Sequence, residues 1–248
     1  MRGSDPGASA DASAGPAEIT APVAQRHLLV VLPHPDDESF SAGGTMALHA
    51  DAGVPVTYLC GTFGDMGRNM GVPFFANRET LRDVREAELR AACRILGADP
   101  RLMGLRDKTV EFEDPAELAG RVGAVIEETT PDLVITFYPG WGVHPDHDAL
   151  GEATRRAVAG VPAARRPRLW AVAVGEHDGV EAALGPPDAC VDVAPYADRK
   201  RRALEAHASQ TKSMFARMAA GAKQDAHLHT RLEEGLRVER FYDLTPHD

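Results

Sequence analysis

Two short stretches of the sequence place histidine and carboxylate side chains close together. The first, HPDDE, covers residues 34–38, and the second, HPDH, covers residues 144–147 and is followed by Asp148. Three consecutive carboxylates beside an imidazole repel one another unless a positive charge lies among them. Two histidines and one carboxylate are a common ligand set for catalytic Zn²⁺, which keeps a fourth position for water. The two stretches together therefore predict a metal-dependent hydrolytic site.

Within the first stretch, the adjacent residues Asp36 and Asp37 are expected to take different roles. Neighbouring loop residues usually point in different directions, so the two carboxylates are not expected to bind one ion together. One can bind the metal while the other accepts a proton from water, and metal-assisted hydrolysis requires this division. The prolines that follow His34 and His144 bias both histidines towards extended backbone, which stiffens the two loops.

Each stretch follows a predicted strand: PHPDDE comes directly after the apolar run 27–32, and YPGWGVHPDH comes directly after DLVITFY at 132–138. Further strands are predicted at 54–60, 101–105 and 169–175. Helices are predicted at 41–53, 77–97, 115–129 and 147–159, with one long late helix at 197–222. This alternation predicts an α/β fold, a Rossmann-like three-layer α/β/α arrangement with a mostly parallel sheet. Ligands of such folds bind beyond the carboxyl ends of the strands, where the two polar stretches are expected to meet.

Composition limits the cellular setting and the partners. Residues 1–25 are rich in Ala, Gly, Ser and Pro and are predicted to be a disordered tail, and 26–248 are predicted to form a single domain. The net charge of −10 argues against nucleic acid as a partner. The sequence contains no apolar run long enough to span a membrane and no secretory h-region, and its three cysteines form no CxxC motif. We expect a cytoplasmic protein that binds neither nucleic acid nor membrane.

Two other interpretations of the polar stretches remain open. In the first, the aspartates are only helix caps in polar loops. In the second, His34, Asp36 and His147 form the facial triad of a non-haem Fe(II) oxygenase. Such oxygenases usually have antiparallel double-sheet barrels, whereas this sequence alternates strands with helices, and two such stretches at one sheet edge are unusual for caps alone. The hydrolase is therefore favoured.

Four motifs give the sequence a family resemblance. PHPDDE near the N-terminus, GTFGDMG after the second predicted strand, RxxE within VREAEL and the later HPDH together resemble the LmbE/PIG-L-like zinc-dependent N-deacetylases. The resemblance extends from about residue 27 to HASQ, near residue 210. The segments GDMGRNMGVPFFANRETL and LMGLRDKTVEFED are similar to the bacillithiol-biosynthesis branch of this family, which removes acetate from N-acetylglucosaminyl malate.

The resemblance implies a role for each matching residue. His34, Asp37 and His147 match the metal ligands, and Asp36 matches the general base. His144 matches a histidine that stabilises the oxyanion or protonates the leaving amine. The resemblance also implies that Asp146 orients this histidine and that Arg85 and Asp107 contact the sugar.

The sequence departs from the family at two positions, and several residues keep alternative interpretations. Gly142 stands where some relatives have a tyrosine, and Asp65 where many have glutamate. Malate carries two carboxylates, which arginine can bind in pairs. The candidates are Arg68, Arg78 and Arg85, although Arg85 could instead pair with Glu88 on a solvated helix face. His207 in HASQ is either near the site or structural.

The resemblance further implies one Zn²⁺ per subunit, with Fe²⁺ as an alternative ion in the cell. It implies a small-molecule sugar conjugate as substrate and a homo-oligomer, a trimer or a hexamer. A related zinc amidase that acts on a thiol conjugate or on another N-acetyl sugar is the alternative.

Overall fold

The eight strands in the described part of the chain form a single sheet. The computed structural model describes residues 17–220 and 226–246. In chain order the strands are β1 (Ala17–Ile19), β2 (Leu28–Leu32), β3 (Val56–Thr62), β4 (Asp99–Leu105), β5 (Leu133–Phe137), β6 (Arg168–Val172), β7 (Ala189–Asp192) and β8 (Val238–Asp243). Their order across the sheet is β1-β7-β8-β6-β5-β2-β3-β4. Only β8 runs antiparallel to its neighbours, β6 and β7, so the predicted α/β fold with a mostly parallel sheet is confirmed.

Helices cover both faces of this sheet. They are α1 (Asp37–Ser41), α2 (Gly43–Asp51), α3 (Leu81–Leu96), α4 (Pro115–Thr129), α5 (Pro145–Ala159), α6 (His177–Leu184), α7 (Ala197–Ala206), α8 (Ala208–Ala219) and α9 (Ala226–Gly235). Local sequence fixes several ends. The Asp114 side chain accepts hydrogen bonds from the N–H groups of Ala116 and Glu117 and so starts α4, and Gly97, with φ 83°, ends α3.

The alternation of side chains along β2 divides the core into two layers. Leu28, Val30 and Leu32 pack on the side of α2 and α3, whereas Leu29 and Val31 pack on the side of α4 and α5. All five residues of β2 are buried, as expected for a central parallel strand covered on both faces. The three-layer arrangement follows directly from this continuous apolar run.

The site lies at the topological switch point of the sheet, between β2 and β5. Strand β2 pairs with β3 on one side and with β5 on the other, and the helices that follow β2 and β5 pack on opposite faces. The loops after these two strands therefore leave a crevice between them, which is the usual ligand position in doubly wound sheets. HPDDE follows β2, and HPDH consists of His144 and the first three residues of α5, which follows β5, so both polar stretches reach this crevice.

Two predictions about elements are wrong. The late helix predicted over 197–222 is interrupted at His207, whose ψ of 47° is not helical, and forms α7 and α8 instead. Residues 17–25 are not a disordered tail, because Ala17–Ile19 pairs in parallel with β7, and His49 Nε2 accepts the N–H groups of Val23 and Ala24 at 3.1 Å each. Residues 1–16 lie outside the described part of the chain. In the two described ranges, none of the helices combines the length and the apolar character that crossing a membrane requires.

Candidate active site

Three side-chain atoms at the crevice form a compact triangle. His34 Nδ1 lies 3.1 Å from His147 Nε2 and 3.2 Å from Asp37 Oδ2, and the third side, from His147 Nε2 to Asp37 Oδ2, is 3.5 Å. Three ligands on a tetrahedral ion with bonds of about 2.0–2.1 Å stand roughly 3.3 Å apart. The triangle therefore fits a single small divalent ion, with two imidazoles and one carboxylate as donors.

The two imidazole rings are held so that one nitrogen of each is free for an ion. His147 Nδ1 donates to the Gly142 carbonyl at 2.8 Å, and the ring stacks on Phe137 with centroids 4.0 Å apart. His34 Nε2 lies 3.3 Å from a carboxylate oxygen of Asp107 and 3.3 Å from one of Asp146. With protons on those outer nitrogens, the lone pairs of His34 Nδ1 and His147 Nε2 point into the triangle. Such outer partners fix the tautomer and orientation of metal-binding histidines.

Two further groups of donor atoms in the described residues are close enough to hold an ion: His34 with His144 and His147, and His34 with Asp107 and Asp146. In the second group the carboxylates already accept backbone N–H groups. Asp146 accepts those of Lys108 and Val110, at 2.7 and 3.1 Å, and Asp107 accepts that of Met66 at 2.8 Å. These carboxylates therefore serve as supports for His34.

Asp36 lies beside the triangle in a conformation that few residues adopt. Its φ is 95° and its ψ is −30°, outside the regions favoured by residues other than glycine, at a cost of about 1–3 kcal/mol. Arg85 Nη2 donates to Asp36 Oδ2 at 2.9 Å, and Glu38 Oε2 accepts the Asp36 N–H at 3.0 Å. About a fifth of the Asp36 side chain, 19%, is exposed. The carboxylate is therefore both fixed and open to a small molecule.

The charged groups at the site shift one another's pKa values. Burial opposes the charged form of His34, but hydrogen bonds to its three carboxylate neighbours raise its pKa well above 6.5. Burial likewise opposes the charge of Asp37, yet His147 and His34 lower its pKa below the ordinary 3.8. Burial dominates at Asp36 and raises its pKa to about 6, although Arg85 opposes the shift. A divalent cation in the triangle would lower the pKa of both carboxylates.

His144 and Asp146 interact differently from the arrangement implied by the family resemblance. His144 Nδ1 accepts the backbone N–H of Asp146 at 3.1 Å and thereby caps α5. The Asp146 carboxylate is completely buried and turns towards Lys108, Val110 and His34. The contact between the two residues thus runs from the Asp146 backbone to the imidazole, and the carboxylate orients His34. The His144 ring stands edge-on to that of His34 at 5.0 Å.

The three residues expected to bind substrate lie in different surroundings. Arg85 is 4% exposed and bonds to the loop that carries Asp36, and the expected alternative pair with Glu88 is not formed, because Glu88 accepts the N–H and hydroxyl of Ser209. Asp107 is also 4% exposed and has both oxygens engaged. Arg68 is exposed on the loop between β3 and α3. A sugar contact for Arg85 and Asp107 and a carboxylate contact for Arg68 stay predictions.

The HASQ segment ties two loops of the site together, a role that the sequence analysis missed. His207 Nε2 bonds to Glu38 Oε1 at 2.7 Å, with both side chains fully buried. The next residues hold the loop after β3, because the Gly71 N–H donates to the Ser209 carbonyl and Gln210 Nε2 donates to the Asn69 carbonyl. These contacts are made at the break between α7 and α8, and the helical spacing of the sequence does not predict that break.

Gly142 has a steric reason to differ from the tyrosine of some relatives. A Cβ at this position would lie 2.4 Å from His147 Cβ and 2.8 Å from Asp148 Oδ1. The same Asp148 oxygen accepts the N–H groups of Gly140 and Gly142, at 2.9 Å each. In this chain the loop is therefore packed closely against the helix that carries His147.

Comparisons with known proteins agree with this geometry. The family model described as "PIG-L: GlcNAc-PI de-N-acetylase" matches residues 29–158, slightly more than half of the chain. A protein of Bacillus cereus named "Probable N-acetyl-alpha-D-glucosaminyl L-malate deacetylase 2" is 52% identical over 192 residues, covering 77% of this chain and 86% of its own length.

Two solved structures share the fold at low sequence identity. The N,N'-diacetylchitobiose deacetylase of Pyrococcus horikoshii has a TM-score of 0.68 at 20% identity, over 90% of this chain and 85% of its own. The 4-carboxy-2-hydroxymuconate hydratase GalB of Pseudomonas putida has the same TM-score and identity, over 90% of this chain and 98% of its own. A deacetylase and a hydratase thus share this architecture, and the fold alone does not decide between their reactions.

Proposed function

Because this chain belongs to the PIG-L family of de-N-acetylases, we propose that it removes acetate from N-acetyl-α-D-glucosaminyl L-malate in bacillithiol biosynthesis. The choice of substrate follows from the Bacillus cereus relative, which is 52% identical over most of both chains. The observation that carries the chemistry is the triangle of His34 Nδ1, Asp37 Oδ2 and His147 Nε2, with the Asp36 carboxylate beside it. This arrangement suits amide hydrolysis at a metal ion.

We propose that the triangle holds one Zn²⁺ per chain, with Fe²⁺ as the alternative ion. The donor set of two imidazoles and one carboxylate, and its spacing, fit zinc with an open position. When bound, such an ion polarises a carbonyl and lowers the pKa of water at its open position.

The protein's own residues then divide the work of hydrolysis. Asp36, with its partly exposed carboxylate, accepts a proton from the attacking water. His144, whose Nδ1 is occupied by the Asp146 N–H, presents its other nitrogen to the developing oxyanion or to the leaving amine. Water adds to the acetamide carbon, the C–N bond breaks, the nitrogen gains a proton, and acetate and the free glucosamine conjugate leave.

The substrate conjugate would be recognised by the loops around the crevice. Arg68 is exposed on the loop after β3, where a guanidinium can pair with a malate carboxylate.

We also propose that the chain assembles as a trimer or a hexamer, which light scattering of the purified protein would test. A dominant monomer at micromolar concentration would contradict the assembly but not the reaction.

The deciding experiment measures acetate release from N-acetylglucosaminyl malate by the metal-loaded enzyme. An N-acetylglucosaminyl inositol conjugate serves as the competing substrate, and metal content is determined by elemental analysis. We expect the malate conjugate to be preferred, with one zinc per chain. The Asp36→Asn variant should lose at least about 10²-fold in kcat, whereas Asp83→Asn, an exposed aspartate on α3, should behave as wild type. Preference for the inositol conjugate would show that the proposed substrate is wrong. Absence of amide hydrolysis would refute the proposed reaction.

A further inference from the structure

The backbone conformation of Asp36 requires support from its surroundings. Its φ of 95° lies in the region that L-residues rarely adopt, and its side chain offers no hydrogen bond that caps the helix beginning at the next residue. Such conformations persist only where neighbouring groups impose them, and they concentrate at functional sites. The contacts of residues 35 and 36 therefore show what holds the proposed base in place.

Arg85 supplies that support on one side. Its Nη2 donates both to the Pro35 carbonyl and to Asp36 Oδ2, the latter at 2.9 Å, and its Nη1 donates to the Gly64 carbonyl at 2.8 Å. One planar guanidinium thus fixes the peptide before Asp36 and one oxygen of its carboxylate. Because a guanidinium is rigid, fixing it at Gly64 also fixes the direction of the other two bonds.

The neighbouring loop is shaped to hold this guanidinium. Gly64 has φ 64°, and a Cβ at that position would lie 2.1 Å from Arg85 Nη1. Arg85 as a whole is 4% exposed. The guanidinium is thus enclosed between this loop and the loop that carries Asp36.

Glu38 and His207 support Asp36 from the other side. Glu38 Oε2 accepts the Asp36 N–H at 3.0 Å, and Glu38 Oε1 is held by the Ser39 hydroxyl at 2.6 Å and by His207 Nε2 at 2.7 Å. Both Glu38 and His207 are fully buried. The break between α7 and α8 places His207 at this point.

We propose that Arg85 is a positioning residue which, together with the Glu38–His207 pair, holds Asp36 in its left-handed conformation and leaves one carboxylate oxygen for the substrate water. The inference rests on the proposed function, because it assigns to Asp36 the role of base. It differs from a sugar-binding role for Arg85 in a measurable way. A positioning residue acts on kcat, whereas a residue that binds the sugar equally in the ground and transition states acts on KM.

The test compares Arg85→Gln and Arg85→Lys with Arg90→Gln, a control on the same helix whose arginine forms an exposed ion pair with Glu86. We expect Arg85→Gln to lower kcat by about 10²-fold, the usual effect of a misplaced catalytic group. Its KM should stay within twofold and its metal content should be that of wild type. Arg85→Lys should recover part of kcat, and Arg90→Gln should match wild type. A raised KM with unchanged kcat, or no change in either, would overturn the proposal.

Two further measurements keep the test decisive if Arg85 variants fold poorly. His207→Leu removes the bond to Glu38 but leaves Arg85 in place, and it should lower kcat without raising KM. A crystal structure of any folded variant of Arg85 or His207 reports φ of Asp36 directly, and retention of the left-handed conformation in Arg85→Gln would contradict the proposal. Any N-acetyl amide that the wild type hydrolyses serves for these assays. Failure of the wild type on the malate conjugate alone would therefore refute the proposed substrate and leave this test intact.

Discussion

Gly142 offers a sharp test of the geometry around the proposed metal ligands. In Gly142→Ala the added Cβ would lie 2.4 Å from His147 Cβ, whereas ordinary contact begins at 3.4 Å, a shortfall of 3.4 − 2.4 = 1.0 Å. The glycine cannot easily move away. Its N–H is bound by Asp148, its carbonyl by His147, and the preceding Trp141 carbonyl by the Val174 N–H.

The displacement must therefore fall largely on His147 and its helix. A shift of about 1 Å at a catalytic group costs on the order of 10²-fold in rate. Metal ligands tolerate deviations of about 0.2 Å, and disturbance of their supports typically costs about 10–100-fold in affinity. We therefore expect Gly142→Ala to lower zinc affinity and kcat/KM by about one to two orders of magnitude while the protein stays folded.

The assay combines zinc titration against a competing chelator with initial rates of acetate release. Gly120→Ala is the matched control, because a Cβ at Gly120 in α4 meets nothing within 4 Å. That variant should keep wild-type zinc affinity and gain about 0.5–1 kcal/mol of stability, since alanine is preferred to glycine within a helix. Wild-type zinc affinity and rate in Gly142→Ala would show that the loop can relax, and the close packing argued for His147 would then be wrong.

Three further predictions concern stability. Lys200→Met should reduce the free energy of unfolding by about 3–5 kcal/mol in urea. The side chains of Lys200 and Glu239 are both 2% exposed and form an ion pair at 2.6 Å, and the substitution leaves the buried carboxylate without its cationic partner. Burial lowers the pKa of His49, whose Nε2 accepts the N–H groups of Val23 and Ala24. As the pH falls below 6.5, His49 is therefore protonated more readily in the unfolded chain than in the folded chain, and the free energy of unfolding should decrease. The His49→Gln variant should show a flatter pH dependence in parallel urea titrations. Removal of the metal with a chelator should lower Tm reversibly, and zinc at about 100 times its Kd should restore about 2.7 kcal/mol.

The sequence predicts the central part of the fold because single segments carry enough information there. Leu28–Leu32 is an uninterrupted apolar run, Leu133–Phe137 is apolar except for Thr136, and α3 and α4 have clear helical spacing with a glycine or an aspartate at one end. The two polar stretches follow two of these strands, so their position at one edge of the sheet follows from parallel topology, and the pairing of β2 with β5 brings them together. No knowledge of side-chain packing is needed for that inference.

The outer part of the fold depends on contacts between distant segments. Strand β1 has three residues in an Ala- and Gly-rich region and forms only because β7 offers it a free edge. The interruption at His207 is set by buried Glu38, which is 169 residues away. Neither signal exists locally, and the helical spacing around His207 continues smoothly across the break. Such features need the folded neighbour before they can be recognised.

Contacts between distant segments also distinguish the proposed base from the other acids of the site. Most buried carboxylates around the crevice accept backbone N–H groups from another segment: Asp107 from Met66, Asp146 from Lys108 and Val110, and Glu88 from Ser209. Bonds of this kind fix loops against each other, and the donors cannot be recognised in a sequence because every residue except proline carries one. Within the described residues, Arg85 alone donates to the Asp36 carboxylate, and it reaches only Oδ2. Asp36 Oδ1 therefore has no donor among the described residues, whereas the contacts of Asp37 with His34 and His147 all fall on its Oδ2, the oxygen that faces the triangle. This difference in bonding supports Asp36 as the proposed base and Asp37 as a proposed metal ligand, independently of any likeness to other proteins.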